Sequence, residues 1–268
     1  MNKKRIPKNP YIFYLITFLR KKEALSSLYI AKLQDNLNIA THMRKDLRYT
    51  YLSRPRYNRY LVATANDNER AKKLYTANIR LAQSFHPILS QFEVVLRNSL
   101  NLKLSTYFGD IDWIINQKSG FMRHHSLRYS HFFLKTCVQK SEDKLNRRLI
   151  PITSGKIISD QTFGFWLAFF LPHHYSLVGG QPIHIFEHKP PIEDRASIYS
   201  KLDEIRSFRN RVNHCEPICF SGHNIDCSEA VEIRTKLYNL IEWIDPKLIP
   251  FFEKVDNIQS KVNNIMRI

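Results

Sequence analysis

Apolar residues in this chain recur at steps of three and four, a spacing that suits packed helices and little else. After Pro87, Ile88, Phe92, Val95, Ser99 and Leu102 form one stripe, which Leu89, Leu96 and Leu100 widen. Ile198, Leu202, Ile205 and Val212 repeat the pattern, and Ile233, Leu237, Leu240 and Ile244 repeat it again. Only 7 Gly accompany 12 Pro among 268 residues, too few for a turn-rich β architecture. The expected class is all-α. The length allows one large domain, or one domain with an extension, and is ample for burying a core.

The pattern resolves into elements. A helix is expected over residues 23–51, and residues 53–60, broken by Pro55, read as a connection. A long helix follows over 66–107, with Asn66 as its cap and Pro87 as a kink or interruption. Further helices are expected over 130–149 and 161–171, the second containing Phe163-Gly164-Phe165-Trp166, which has no group for chemistry and reads as core or subunit interface. Residues 172–191 read as irregular. Pro190-Pro191 then starts a helix with Glu193 and Asp194 in its first turn, and Pro217 ends it. A helix over 226–243 and a helical tail over 247–265 complete the chain. A boundary near residue 62 separates a basic, mostly helical extension (1–62) from the main domain (63–268).

Charge divides the chain unevenly. Residues 1–80 hold 18 Lys+Arg against 5 Asp+Glu, a balance of +13, whereas residues 81–268 hold 23 against 19, a balance of +4. Such a field attracts polyanions. Aromatics are interleaved with the cations, which points to nucleic acid: arginines pair with phosphates while tyrosines stack on unpaired bases. Arg44, Lys45, Arg48, Arg54, Arg56, Tyr57 and Arg59 are the candidate RNA contacts, and a solvated basic face with core-anchoring tyrosines is the plain alternative. An anionic membrane surface is the runner-up partner, suggested by residues 11–19 with cations on both sides.

No membrane span is expected, because the longest uncharged apolar runs, 11–19 and 163–171, are about half the length one needs. Lys3, Lys4 and Arg5 precede the first run, but Arg20, Lys21 and Lys22 follow it without a small-residue cleavage site, which argues against secretion. Four cysteines make no disulfide framework in a chain of this size, so a reducing cytoplasm is the expected compartment.

Two groupings raise metal binding. His173, His174, His184 and His188 fall within sixteen positions, without carboxylates on a clear helix beside them. Cys215, Cys219, His223 and Cys227 are spaced by four, whereas zinc knuckles usually place two residues between their first cysteines, and Pro217 interrupts the segment. Buried free thiols are the expectation, with no metal and no cofactor.

The chemistry concentrates in Arg209-Asn210-Arg211-Val212-Asn213-His214. Arginine offers a charged fork to phosphate oxygens, and histidine serves as base and then acid near neutrality. Both also favour helix C-termini for structural reasons. Asn210 and His214, four apart, share a helix face, while Arg209 is turned about 140° from His214. A symmetric dimer that brings two such helix ends together would supply the arginine across the axis, so a homodimer with a composite basic cleft is expected. Glu93 and Arg97, also four apart, read as a helix-surface pair or as a polar stripe facing a site, with Asn98 beside them.

Three separated blocks resemble one family. Glu93-Val94-Val95-Leu96-Arg97-Asn98 resembles the E-x-x-L-R-N motif of Abi-like proteins, the abortive-infection group of bacterial phage-defence proteins. Phe163-Gly164-Phe165-Trp166 is similar to their F-G-x-W segment, and residues 209–218 resemble their R-N-x-x-x-H-x-E-P-I block. Trp243-Ile244-Asp245-Pro246 also sits where that family often carries Trp and Pro, so the resemblance spans residues 65–250. It implies a HEPN-like helical bundle, dimeric, whose R-x4-6-H motif marks metal-independent ribonucleases. On that resemblance His214 acts on the ribose 2′-OH, Arg209 stabilises the phosphorane-like charge, and the products are a 2′,3′-cyclic phosphate and a 5′-OH. RNA carries its own nucleophile, and guanidinium groups can meet the transition-state charge.

Two functional classes therefore stand. One is a ribonuclease of a phage-defence or toxin system, with Arg209, Asn210 and His214 at the reaction and Glu93, Arg97 and Asn98 supporting them or facing substrate. The other is a non-cleaving module that holds a structured or regulatory RNA. A structural or DNA-binding protein stapled by zinc is a third. A toxin-like nuclease must be held in check, which adds an antitoxin RNA or protein to the expected partners.

Overall fold

The structure, a computed structural model, describes residues 49–268. The helix expected over 23–51 falls largely outside the described residues, as do the apolar run 11–19 and the candidate RNA contacts Arg44, Lys45 and Arg48. Among the described residues the chain is helical apart from one two-stranded hairpin. No helix among them is long and apolar enough to cross a membrane.

The chain divides into two compact units, at 76/77, rather than near residue 62. In the first, α1 (Arg54–Ala63) occupies the segment that Pro55 suggested would be a connection. That expectation was wrong because proline is well tolerated in a first helical turn, where its missing N–H has no partner to lose. Ser53 caps α1 by accepting from Arg56 N–H. Tyr57 and Tyr60 are buried at 2% and 1% exposure, and both rings pack on Tyr75. Tyr57 is thereby corrected as an RNA contact, since a ring closed off on both faces cannot stack on a base.

The helix α2 (Asn68–Phe108) is 41 residues long and runs on through Pro87. Gln83, whose carbonyl loses its helical donor to Pro87, is exposed like Pro87 itself, so solvent can satisfy that carbonyl and the helix need not break. Its start is set by Asp67, not Asn66: Asp67 Oδ1 accepts from Glu69 N–H at 2.9 Å and Arg70 N–H at 3.1 Å.

The second unit comprises the rest of α2 with α3 (Trp113–Asn116), α4 (Phe133–Arg147), α5 (Ser154–Asp160), α6 (Phe163–Ala168), α7 (Pro172–Leu177), α8 (Arg195–Asn213), the hairpin β1 (Phe220–Ser221) and β2 (Asn224–Ile225), α9 (Ser228–Ile244), α10 (Ile249–Glu253) and α11 (Ile258–Met266). Its core has two aromatic centres. Phe165, Trp166 and Phe169 pack against Trp113 and Phe121, and Phe85 on α2 meets Phe208 on α8 edge-on at 4.7 Å. Residues 163–166 thus belong to the core.

The stripe along α2 differs from the expected one. Phe85, Ile88, Phe92, Leu96, Leu100 and Leu104 are all fully buried, while Val95 and Ser99 are half-buried and Leu102 is 69% exposed. Apolar residues cover too wide an arc of α2 for one packing partner. The arc centred on Leu96 faces the core, and Val95, Ser99 and Leu102 line a groove of about 580 Å³ with Ile244 and Leu248. Ile198, Leu202, Ile205, Phe208 and Val212 on α8 are all buried, as their spacing predicts.

Candidate functional site

The helix α8 ends at the candidate chemistry. It starts in a capping box, in which Asp194 accepts from Ser197 N–H at 2.8 Å and Ser197 Oγ accepts from Asp194 N–H at 3.0 Å. The bond from Ser197 N–H holds the Asp194 carboxyl below the usual range. At the other end Glu216 N–H reaches Arg211 O at 2.9 Å and Cys215 N–H reaches Val212 O at 3.1 Å, the paired bonds of a Schellman cap. Cys215 takes the left-handed position, φ +54°, where glycine is usual. His214 is the C-cap residue, its N–H bonded to Asn210 O at 2.9 Å.

Asn210 and His214 are both exposed, one turn apart. Arg209 turns toward α2, where Nη2 donates to Glu93 Oε2 at 3.2 Å across a sequence separation of 116. Their side chains are 33% and 17% exposed. The fold thus joins the first residue of the Glu93-to-Asn98 block to the first residue of the Arg209-to-His214 block. Within the former, Leu96 is core, Arg97 is half-buried, and Asn98 is exposed on the groove side of α2. Asn101 donates nothing to a site: its Oδ1 accepts from Trp113 Nε1 at 2.9 Å. Arg54 is exposed and lies over the Tyr49 ring, while Arg56 and Arg59 are half-buried on α1.

Arg211 has a structural part that its sequence position did not disclose. Nη2 donates to Pro217 O at 2.8 Å, Nη1 donates to Glu229 Oε2 at 2.6 Å, and Nε lies 3.7 Å from Glu216. Arg211 therefore clamps the residues that follow His214 onto α9. A second anchor is Asn78, 3% exposed on α2, whose Oδ1 accepts from Ile218 N–H at 2.9 Å. An isolated Asn on a helix gives no sequence signal of such a role. Asn78→Ala leaves a buried N–H without an acceptor and is expected to cost about 1–3 kcal/mol in urea denaturation; a loss of a few tenths would show that the segment is held elsewhere.

The cysteine segment does not assemble as ligands. Residues 220–225 form the hairpin, with Phe220 opposite Ile225, Ser221 opposite Asn224, and Gly222 at φ +58° in the turn. Cys219 and Cys227 are buried thiols at its base, while Cys215 and His223 are exposed. Burial, with Asp226 beside it, pushes the Cys227 thiol up to about 11, against the thiolate a metal takes. Among the described residues no three His, Cys, Asp or Glu side chains converge as a metal cluster.

The segment 172–191, expected to be irregular, contains α7 and a 3-10 turn over Gln181–Ile185. There His174 is 0% exposed, with Nδ1 3.0 Å from Ala168 O. A carbonyl only accepts, so Nδ1 carries the proton and Nε2 presents a lone pair, for which the described residues offer no partner. Burial, reinforced by His173, pushes the His174 pKa down to about 4. The unfolded chain protonates this histidine near its ordinary value, and the folded chain does so only near pH 4. Stability tied to His174 is therefore complete above about pH 6.5 and falls as pH drops toward 4, by at most roughly 3 kcal/mol. The stability difference between wild type and His174→Asn, followed by urea midpoints from pH 7 to 4, should shrink by that order; a constant difference would contradict a neutral buried imidazole.

No family model, curated protein or solved structure matches this chain.

Proposed function

We propose that the chain is a metal-independent endoribonuclease of a bacterial defence or toxin type, built as a HEPN-like dimer. The observation that carries this reading is the Glu93–Arg209 contact, which unites two of the three resembling blocks beside the exposed pair Asn210 and His214. His214 takes the 2′-OH proton and the oxygen attacks the adjacent phosphorus. The 5′-oxygen departs with a proton, leaving a 2′,3′-cyclic phosphate. Arg209, oriented by Glu93, meets the charge on the non-bridging oxygens, and Asn210 orients the imidazole. In a symmetric dimer the two helix ends face one another, and each supplies its arginine to the partner's histidine. Net charge of +17 favours RNA as the polyanion.

The test is incubation of purified protein with mixed RNA in a chelator, followed by 3′-end analysis. Cleavage leaving 2′,3′-cyclic phosphates and lost in His214→Ala is the expected result. RNA bound equally by both proteins and cut by neither would replace this reading with the non-cleaving RNA-binding module.

A further inference from the structure

A second feature on α8 bears on what the proposed site would select, and its interpretation as RNA recognition rests on that reading. A pocket of about 340 Å³ has His174 among its lining residues, with Phe133, Leu167 and Leu171 as apolar walls and Tyr199 and Arg206 contributed by α8. That volume suits a single ring system rather than an extended ligand. His174 is closed to solvent with a lone pair on Nε2 and its other nitrogen committed to Ala168. An unpaired buried acceptor is costly, so the complement it lacks is an N–H or O–H donor.

The surroundings favour an anion. Residues 121–141 carry Arg123, Arg128, Lys135 and Lys140 and no Asp or Glu. This segment supplies Ser130 and Phe133 to the pocket and presents Tyr129 at 97% exposure. Arg206 is held by two bonds to Asp203 Oδ1, from Nε at 2.9 Å and Nη2 at 2.6 Å. Its Nη1 has no hydrogen bond among the described residues. Tyr199 and Arg206 are seven residues apart, and Asn210 and His214 continue from Arg206 in steps of four, so all four lie on one face of α8. Arg206 and His214 stand about 12 Å apart along the axis. A ring-sized pocket with an acceptor, an aromatic wall and a cationic rim, in line with the candidate residues, matches a base with its flanking phosphate.

We propose that this pocket binds one base of a single-stranded RNA, with His174 Nε2 accepting from a ring or exocyclic N–H of the base, Phe133 against its face and Arg206 on a neighbouring phosphate. Binding here fixes which nucleotide stands near the scissile position, so the pocket sets sequence preference and takes no part in the bond-breaking step.

The probes are the four ribonucleoside 5′-monophosphates and a fluorescent single-stranded oligoribonucleotide, titrated into the full chain carrying His214→Ala so that no RNA is cut. One or two of the monophosphates should bind and displace the oligonucleotide. Adding His174→Asn keeps a donor toward Ala168 O but removes the Nε2 acceptor, and should weaken both ligands about tenfold or more without lowering the melting temperature at pH 7.5. Phe133→Ala, at a position 38% exposed, should weaken them severalfold and carries the test if His174→Asn misfolds. The proposal is overturned if no monophosphate binds at millimolar concentration, if both variants bind like the parent, or if monophosphates bind without displacing the oligonucleotide. Failure of the pocket and of the nuclease separate cleanly. Cleavage lost in His214→Ala but with base preference unchanged by His174→Asn leaves the nuclease and removes the pocket; His174-dependent binding without cleavage does the reverse.

Discussion

His214→Ala should lower metal-independent RNA cleavage by roughly 10²–10⁴-fold, the range for removing a positioned general base. The variant is clean because the side chain is exposed, and the bond that closes α8, His214 N–H to Asn210 O, belongs to the backbone. Its stability should stay within about 0.5 kcal/mol of wild type, so lost cleavage would report chemistry and not unfolding. Arg209→Ala is less clean, since it also leaves Glu93, 17% exposed, without its cation. Single-turnover cleavage in chelator, with melting curves on the same samples, decides the matter. A His214→Ala protein that cuts at the wild-type rate would end the nucleolytic reading, whatever the RNA affinity.

Phe208→Ala should cost roughly 3–5 kcal/mol, as for other fully buried phenylalanines. Phe208 is 1% exposed and meets Phe85 edge-on at 4.7 Å, joining α8 to α2 immediately before Arg209. Removing the ring opens a cavity between the helices and withdraws the aromatic contact as well. Arg211 also rests over the Phe208 ring, at 6.0 Å, so the clamp on the segment after His214 loosens too. Phe208→Leu fills much of the space and should cost markedly less. Urea denaturation of both variants measures the effect, and a Phe208→Ala loss below about 1 kcal/mol would mean that the two helices are held chiefly by other contacts.

Helical spacing carried much of the fold. The α8 stripe was fully legible because one side of that helix is apolar and the other charged, leaving a single way to bury it. Along α2 the same reasoning mis-assigned Val95, Ser99 and Leu102, since an apolar arc wider than one partner can cover does not say which half is buried. Pro55 and Pro87 misled for a related reason: proline's cost depends on whether a donor is needed at that place, and that is a property of the surroundings. Tyr57 was read by its charged neighbours, though its ring belongs to a buried tyrosine cluster.

The candidate site divides the same way. Asn210 and His214 sharing a face follows from their spacing, and both are exposed. That Arg209 would face Glu93, that Arg211 would serve as a clamp, and that Asn78 would hold Ile218 could not be read from spacing, because each contact joins residues from different elements or across a cap. His174 looked like one of four scattered histidines until its burial and its bond to Ala168 set its tautomer and left Nε2 toward a pocket.

The sequence by itself determined a helical chain, a basic first third and the residue types suited to phosphate chemistry, because periodicity, charge and side-chain chemistry are local properties. Tertiary structure decided which side of α2 is core, what Arg209 and Arg211 hold, and where His174 lies, because those outcomes depend on packing between residues far apart along the chain.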